Sequence, residues 1–260
     1  MLPFPEINPN ILEIGPIKIR WYGLMYILGF LASYFLITRQ KKSLEIGLRG
    51  QTLQNLILFT AMGLVIGARL GYVLFYQFTN YGYYIQNPLE IVAVWHGGMS
   101  FHGGLLGALL AGIIFCRKNS LPVLKVADIL IVTAPVGLAL GRIGNFINGE
   151  LFGRPSSVPW AMVFPGGGPV ARHPSQLYEA ALEGIVLFGF LWLLKDRPWR
   201  PGAMVCLFLA GYGALRFFVE FFREPDPQLG LFFGFLSMGQ ILCIGMMAAS
   251  IALWFILPRD

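Results

Sequence analysis

Charge is what this chain has least of. Only 12% of its 260 residues are Asp, Glu, Lys or Arg, against roughly a quarter in ordinary soluble domains, so a water-soluble globule is excluded. There are 3 histidines and 3 cysteines, and none of them falls at metal-ligand spacing, so no metal and no cofactor are expected. Cys116, Cys206 and Cys243 lie in apolar segments without a pairing pattern and read as small core or lipid-facing residues rather than a disulfide framework. No alternating strand-length pattern suggests an outer-membrane barrel. The net charge of +6 gathers on no continuous basic face, which excludes a nucleic-acid partner and suits anionic lipid. The opening Met1-Leu2-Pro3-Phe4-Pro5-Glu6 lacks a basic region and a small-residue cleavage site, so the first span is expected to stay as an anchor.

What the chain has instead is hydrocarbon. Hydrophobic residues make up 56% and the mean hydropathy is +0.66, and several stretches reach the ~20 residues a helix needs to cross a bilayer. The expected fold is an all-α polytopic membrane protein, residues 1–260 forming a single integral membrane domain with about seven transmembrane helices. The spans read as residues 21–38, 53–76, a third ending near Cys116, then 126–146, 174–195, 202–222 and 236–257. Residues 1–19, with Ile7, Ile11, Leu12 and Ile14, read as an interfacial arm. Residues 149–172, rich in Gly and Pro, read as a small extramembrane head between spans four and five. No segment repeats another, which weighs against a transporter built from inverted halves.

Cations set the orientation. With the N-terminus outside, the inner connections hold Arg39, Lys41, Lys42, Arg49, Arg117, Lys118, Lys125, Lys195, Arg197, Arg200 and Arg259. The outer ones hold only Lys18, Arg20, Arg154, Arg172 and Arg223, while Arg69, Arg142 and Arg216 lie within spans. The N-terminus is therefore expected outside and the C-terminus in the cytoplasm. At ~1.5 Å per helical residue, Tyr26, Arg69, His102, Arg142, Asn145, Glu179, Arg216 and Glu220 share the level of the outer leaflet. Polar groups at one depth predict a common cavity open to the outer face.

The densest polar stretch is Gly141-Arg142-Ile143-Gly144-Asn145-Phe146-Ile147-Asn148-Gly149-Glu150-Leu151-Phe152-Gly153. At helical spacing Arg142, Asn145 and Asn148 or Gly149 fall on one face. A membrane cation normally faces a bundle interior, a cavity or an anion, although a lone arginine near a helix end equally well snorkels to the headgroups. The whole string resembles the signature of the bacterial prolipoprotein diacylglyceryl transferases, Gly-Arg-x-Gly/Ala-Asn-Phe-apolar-Asn-x-Glu-x-x-Gly, at every fixed position. Similarity extends through Arg20-Trp21-Tyr22-Gly23-Leu24-Met25-Tyr26, Gly97-Gly98-Met99-Ser100-Phe101-His102-Gly103-Gly104, His173-Pro174-Ser175-Gln176-Leu177-Tyr178-Glu179 and the block from Arg216 to Arg223.

The resemblance implies a transferase of the bacterial inner membrane, acting in the first step of lipoprotein maturation. Such an enzyme moves the diacylglyceryl group of phosphatidylglycerol to the lipobox cysteine of a preprolipoprotein signal peptide, forming a thioether and releasing glycerol phosphate. Sulfur displaces phosphate at a glycerol carbon. His102 is the candidate base, histidine being the side chain that titrates near neutrality; the alternative is an imidazole that merely hydrogen-bonds a neighbouring helix. Arg142 and Arg216 suit the departing phosphate through fixed charge and forked donors. Tyr26, Asn145, Glu150, Gly153, Glu220 and Arg69 complete the expected substrate-binding set. Of these, Tyr26 is a donor to phosphate, Glu220 fixes Arg216 from one turn away, and Asn145 and Glu150 orient Arg142 or the glycerol hydroxyls. Each has a structural alternative, since buried polar side chains need partners anyway.

Glu179 and Glu183 share a helix face and would repel if both were ionised, so either one binds an arginine or one is protonated. His96 and His173 read as loop and helix-start residues. The glycines around His96 and His102 let backbone approach either another helix or a ligand. The rival readings are an anionic-lipid or small-anion transporter and a non-catalytic scaffold. A transporter would carry polar residues into the inner halves of the helices, which are almost wholly apolar here.

Overall fold

A computed structural model describes residues 2–5, 7–14, 17–224, 231–232 and 234–257. Met1, Glu6, Gly15 and Pro16 of the expected arm, and Arg259 of the expected inner cations, lie outside the described residues. A hairpin of β1 (Asn10–Ile14) and β2 (Ile17–Arg20) leads into α1 (Trp21–Thr38) and a short α2 (Lys41–Glu45). Next, α3 (Gly50–Gly71) continues through a π-helical turn, Tyr72–Tyr76, to the small helices α4 (Tyr81–Gln86) and α5 (Leu89–Val92), and then α6 (Phe101–Lys118). After α7 (Val123–Ile131) and α8 (Ala134–Ile147) the chain is largely irregular until α9 (Ser175–Glu179), which runs through π-helical Ala180–Val186 into α10 (Leu187–Leu194). The last elements are α11 (Ala203–Val219), the paired β3 (Leu231–Phe232) and β4 (Leu236–Ser237), and α12 (Met238–Ile256).

Among the described residues, five helices are long and apolar enough to cross a membrane: Trp21–Thr38, Gly50–Tyr76, Phe101–Lys118, Ser175–Leu194 and Met238–Ile256. The expected fourth span is broken, because α7 and α8 meet at a 43° bend. Pro135, in the first turn of α8, has no N–H to offer the preceding turn, and Thr133 turns its hydroxyl back onto the Leu130 carbonyl at 2.8 Å. With 17 residues, α11 is shorter than the five, so seven crossings are reached only if it and the bent pair each count as one. Phe35, Leu58, Leu109, Leu193 and Phe255 stay exposed on these helices, an apolar surface that hydrocarbon accepts and water does not. The protein is a multi-pass membrane protein. The hairpin within the expected arm was not foreseen; its β-branched isoleucines alternate with polar residues and favour strand.

The chain divides into two compact units, Met1–Lys42 with Ala127–Asp260, and Ser43–Val126. In the second, Gly63, Gly67 and Gly71 of α3 face Gly103, Gly107 and Ala111 of α6 so closely that a Cβ on Gly67 would overlap the Gly103 carbonyl oxygen. Small residues at every fourth position let two apolar helices touch backbone to backbone, so Gly103 serves a neighbouring helix. Ser100 caps α6 by accepting from the Gly103 amide at 3.2 Å.

In the first unit, Tyr22 of α1 lies against Gly144 of α8. Val132, Leu187, Leu191 and Met204 form a core with Trp192, Trp199 and Phe208 packed around it. Asp128 of α7 accepts from the Gly202 and Val205 amides at 2.7 and 3.1 Å, satisfying backbone donors at the start of α11. Between α8 and α9, the rings of Phe4, Phe146 and Phe152 gather on the fully buried Phe164 and give the irregular segment its own core.

Candidate functional site

The polar end of α8 is the starting point of the site. Arg142 and Asn145 lie one turn apart, and Arg142 Nη1 donates to Asn145 Oδ1 at 3.5 Å. Asn145 passes the connection on, its amide donating to Glu150 Oε1 at 3.0 Å, and Asn148 donates to the same oxygen at 3.0 Å. Glu150 is further fixed through its backbone carbonyl, which accepts from Gln176 at 2.6 Å. The turn that delivers Glu150 needs left-handed backbone at Gly149 and at Leu151, with φ of 67° and 58°. For a leucine that conformation carries strain, which is retained where surrounding contacts hold it.

Glu179 receives the other side of the Arg142 guanidinium, Oε2 lying 2.7 Å from Arg142 Nε. Arg216 of α11 approaches the same oxygen at 3.4 Å, meets Glu183 Oε1 at 3.6 Å and pairs with Glu220 Oε2 at 2.7 Å. Arg223 completes the cluster, 3.4 Å from Glu179 Oε1 and 3.8 Å from Glu220 Oε2. Glu220 is also gripped by the Ser237 hydroxyl at 3.0 Å, and that serine caps α12 together with Gln240. Both Glu179 and Glu183 therefore lie within ion-pair distance of guanidinium groups. Several of these contacts are ion pairs by distance and not aligned hydrogen bonds: Glu179 Oε2, Glu183 Oε1 and Arg216 Nη1 have unused hydrogen-bonding capacity. For these groups charge at short range stands in for the missing alignment.

Two further expected residues sit in the same unit. Tyr26 is half exposed, its hydroxyl 3.3 Å from that of Tyr22. Tyr22 lies within electrostatic reach of both Arg142 and Glu150; sequence reasoning passed over it, though it stands in the same block. Gly153 is where the irregular segment meets the end of α11. Its amide donates to the His173 carbonyl at 2.9 Å, it pairs with Arg223, and a Cβ there would overlap the Phe222 carbonyl oxygen. Glycine is needed for that approach, which seats Arg223. His173 hydrogen-bonds Tyr178 at 3.0 Å and packs edge-on against Phe222, and burial lowers its pKa from the ordinary histidine value.

Arg69 and His102 belong to the second unit. Arg69 is buried and spends its donors on backbone carbonyls: Ile91 at 3.1 Å, Gly98 at 3.0 Å, Glu90 at 2.5 Å, and Gly97. A guanidinium so occupied pins the loop that leads to α6. His102 stands exposed in the first turn of α6, its ring beside Phe101, and makes no hydrogen bond among the described residues. His96 pairs with Glu90 at 2.9 Å. Among the described residues no group of three His, Cys, Asp or Glu side chains is arranged to hold a metal.

Comparison with known proteins adds the chemistry. The family profile described as prolipoprotein diacylglyceryl transferase matches residues 9–256. The phosphatidylglycerol–prolipoprotein diacylglyceryl transferase of Desulfotalea psychrophila is 48% identical over 257 residues, covering 96% of this chain and 93% of the relative. The protein of the same name from Geobacter sulfurreducens is 50% identical over 258 residues, covering 99% and 98%. The one from Vibrio atlanticus is 52% identical over 246 residues, covering 94% and 89%.

Proposed function

We propose, from the premise that the chain belongs to the prolipoprotein diacylglyceryl transferase family, that Arg142, Arg216 and Arg223 bind the lipid phosphate and offset the charge it gains on leaving. The protein is a membrane transferase that moves the diacylglyceryl group from phosphatidylglycerol to prolipoprotein, the activity carried by its relatives' names. In the assigned reaction the lipobox cysteine sulfur attacks the glycerol carbon beside the phosphate. The C–S bond forms as the C–O bond breaks, the bonding pair goes to the phosphate oxygen, and a phosphodiester monoanion departs as glycerol phosphate with added negative charge. Fixed guanidinium groups stabilise that developing charge more than the ground state, which is the condition for acceleration. Arg142 Nη2 has no partner among the described residues and is the donor first offered to phosphate, with Tyr26, Asn145 and Glu150 around the glycerol.

The attacking thiol, with an ordinary pKa of ~8.5, must lose its proton, and His102, exposed in the first turn of α6, takes it. Arg69 acts at one remove by holding the Glu90–Gly98 loop that leads to His102. The excess of Lys and Arg in alternate connections sets the N-terminus, the head and the site on the periplasmic side of the inner membrane. The observation that carries the reading is the convergence of Arg142, Arg216 and Arg223 in one largely buried cluster. Purified protein given phosphatidylglycerol and a lipobox peptide is expected to add a thioether-linked diacylglyceryl mass to the cysteine. Flux of lipid across sealed vesicles with no such product would reject it.

A further inference from the structure

One carboxylate touches all three guanidinium groups. Glu179 reaches Arg142 at 2.7 Å, Arg216 at 3.4 Å and Arg223 at 3.4 Å. Its side chain is 0% exposed, whereas the arginines keep 22%, 12% and 14% of theirs. A lipid that arrives from the accessible side therefore meets the arginines and not Glu179. The other carboxylates do not duplicate it. Of the three arginines Glu183 meets Arg216 alone and Glu220 meets Arg216 and Arg223, while Glu150 is taken up by Asn145 and Asn148. Three cations this close repel strongly in partly dry surroundings unless an anion lies between them. The backbone that carries Glu179 is fixed as well, since Gly184 presses on Ala139 of α8 with no room for a Cβ.

We infer that Glu179 is a positioning residue for the transfer, its carboxylate holding Arg142, Arg216 and Arg223 at the spacing in which they stabilise the departing phosphate. The inference rests on the proposed function. In Glu179→Gln the shape is kept and the charge lost. The guanidinium groups part; the positive charge that Glu179 no longer offsets still binds the lipid phosphate, but at a spacing that no longer matches the transition state. The kcat for transfer is expected to fall at least tenfold while KM for phosphatidylglycerol does not rise. Arg142→Gln, which removes a phosphate ligand, raises KM as well. Glu179→Asp, charged but shorter, retains more turnover than Glu179→Gln.

Melting of the purified variants verifies folding, and native mass spectrometry of bound phosphatidylglycerol gives a readout that needs no turnover. On that readout Glu179→Gln binds lipid like the wild type and Arg142→Gln does not. Unchanged kcat in Glu179→Gln, or a KM raised as in Arg142→Gln, overturns the inference. If Glu179→Gln does not fold, Glu179→Asp decides on the same readouts: a lowered kcat at unchanged KM supports it, and a raised KM or unchanged kcat rejects it. Wild-type protein that binds the lipid and transfers nothing overturns the proposed function alone; lipid binding in Glu179→Gln as weak as in Arg142→Gln then still overturns this inference.

Discussion

Arg142 and Arg216 are the side chains on which turnover should depend most. Replacing either by Ala removes a guanidinium that the proposed function assigns to the leaving phosphate, and such losses cost about 10²–10³ in rate. Because Glu179 keeps two other guanidinium partners in each case, both variants are expected to insert and fold, as retention time and melting would show. In His102→Gln hydrogen bonding is kept and basicity lost, so transfer should fall by roughly 10²–10⁴; unimpaired turnover would move the base role to another group. At Gly153 an Ala must displace the Phe222 carbonyl, and overpacking of this kind costs about 1–3 kcal/mol. Gly153→Ala is expected to lower both melting temperature and transfer by unseating Arg223. The sequence motif held Arg142, Asn145, Glu150 and Gly153 together because they are neighbours in the chain. It could not show Arg223 as part of the cluster, since its partner Glu179 lies 44 residues away and position 223 reads as an outer-loop cation.

The elements follow their apolar stretches closely where nothing but length and hydrophobicity decides, as in α1, whose bounds match the expected 21–38. They depart where a backbone group must be satisfied locally. Pro135 and Thr133 break the fourth stretch into α7 and α8, and the π-helical Ala180–Val186 interrupts the fifth, a change of register that hydropathy does not register. The glycines of α3 and α6 were visible in the sequence, but spacing alone could not name the facing helix. That seam gives a direct test: Gly67→Ala overlaps the Gly103 carbonyl and should destabilise the protein by about 1–3 kcal/mol. Gly112→Ala, on the same pair of helices with its nearest neighbour 4.0 Å away, should be neutral or gain up to about 1 kcal/mol in helix propensity. Thermal melting in detergent of the two variants side by side measures the difference.

Across the whole molecule, stability should depend on pH through His173, which ties the irregular segment to Tyr178 and Phe222. Burial lowers its folded pKa below the unfolded value. Above about pH 6.5 the ring is neutral in both states and the full stability is present; below it the unfolded chain takes up the proton first, and stability falls as pH drops toward the folded value. The melting temperature should therefore decline below neutrality, and His173→Gln should flatten that decline. A last consequence concerns how the enzyme lets go of what it has made. Arg142, Arg216 and Arg223 stand against buried Glu179, Glu183 and Glu220, so part of the positive charge of the cluster is already offset before any lipid arrives. Glycerol phosphate, with up to about two negative charges, is then held by less than the full charge of three guanidinium groups, and the same acids that keep the arginines in place ease its return to water, clearing the way for the next lipid.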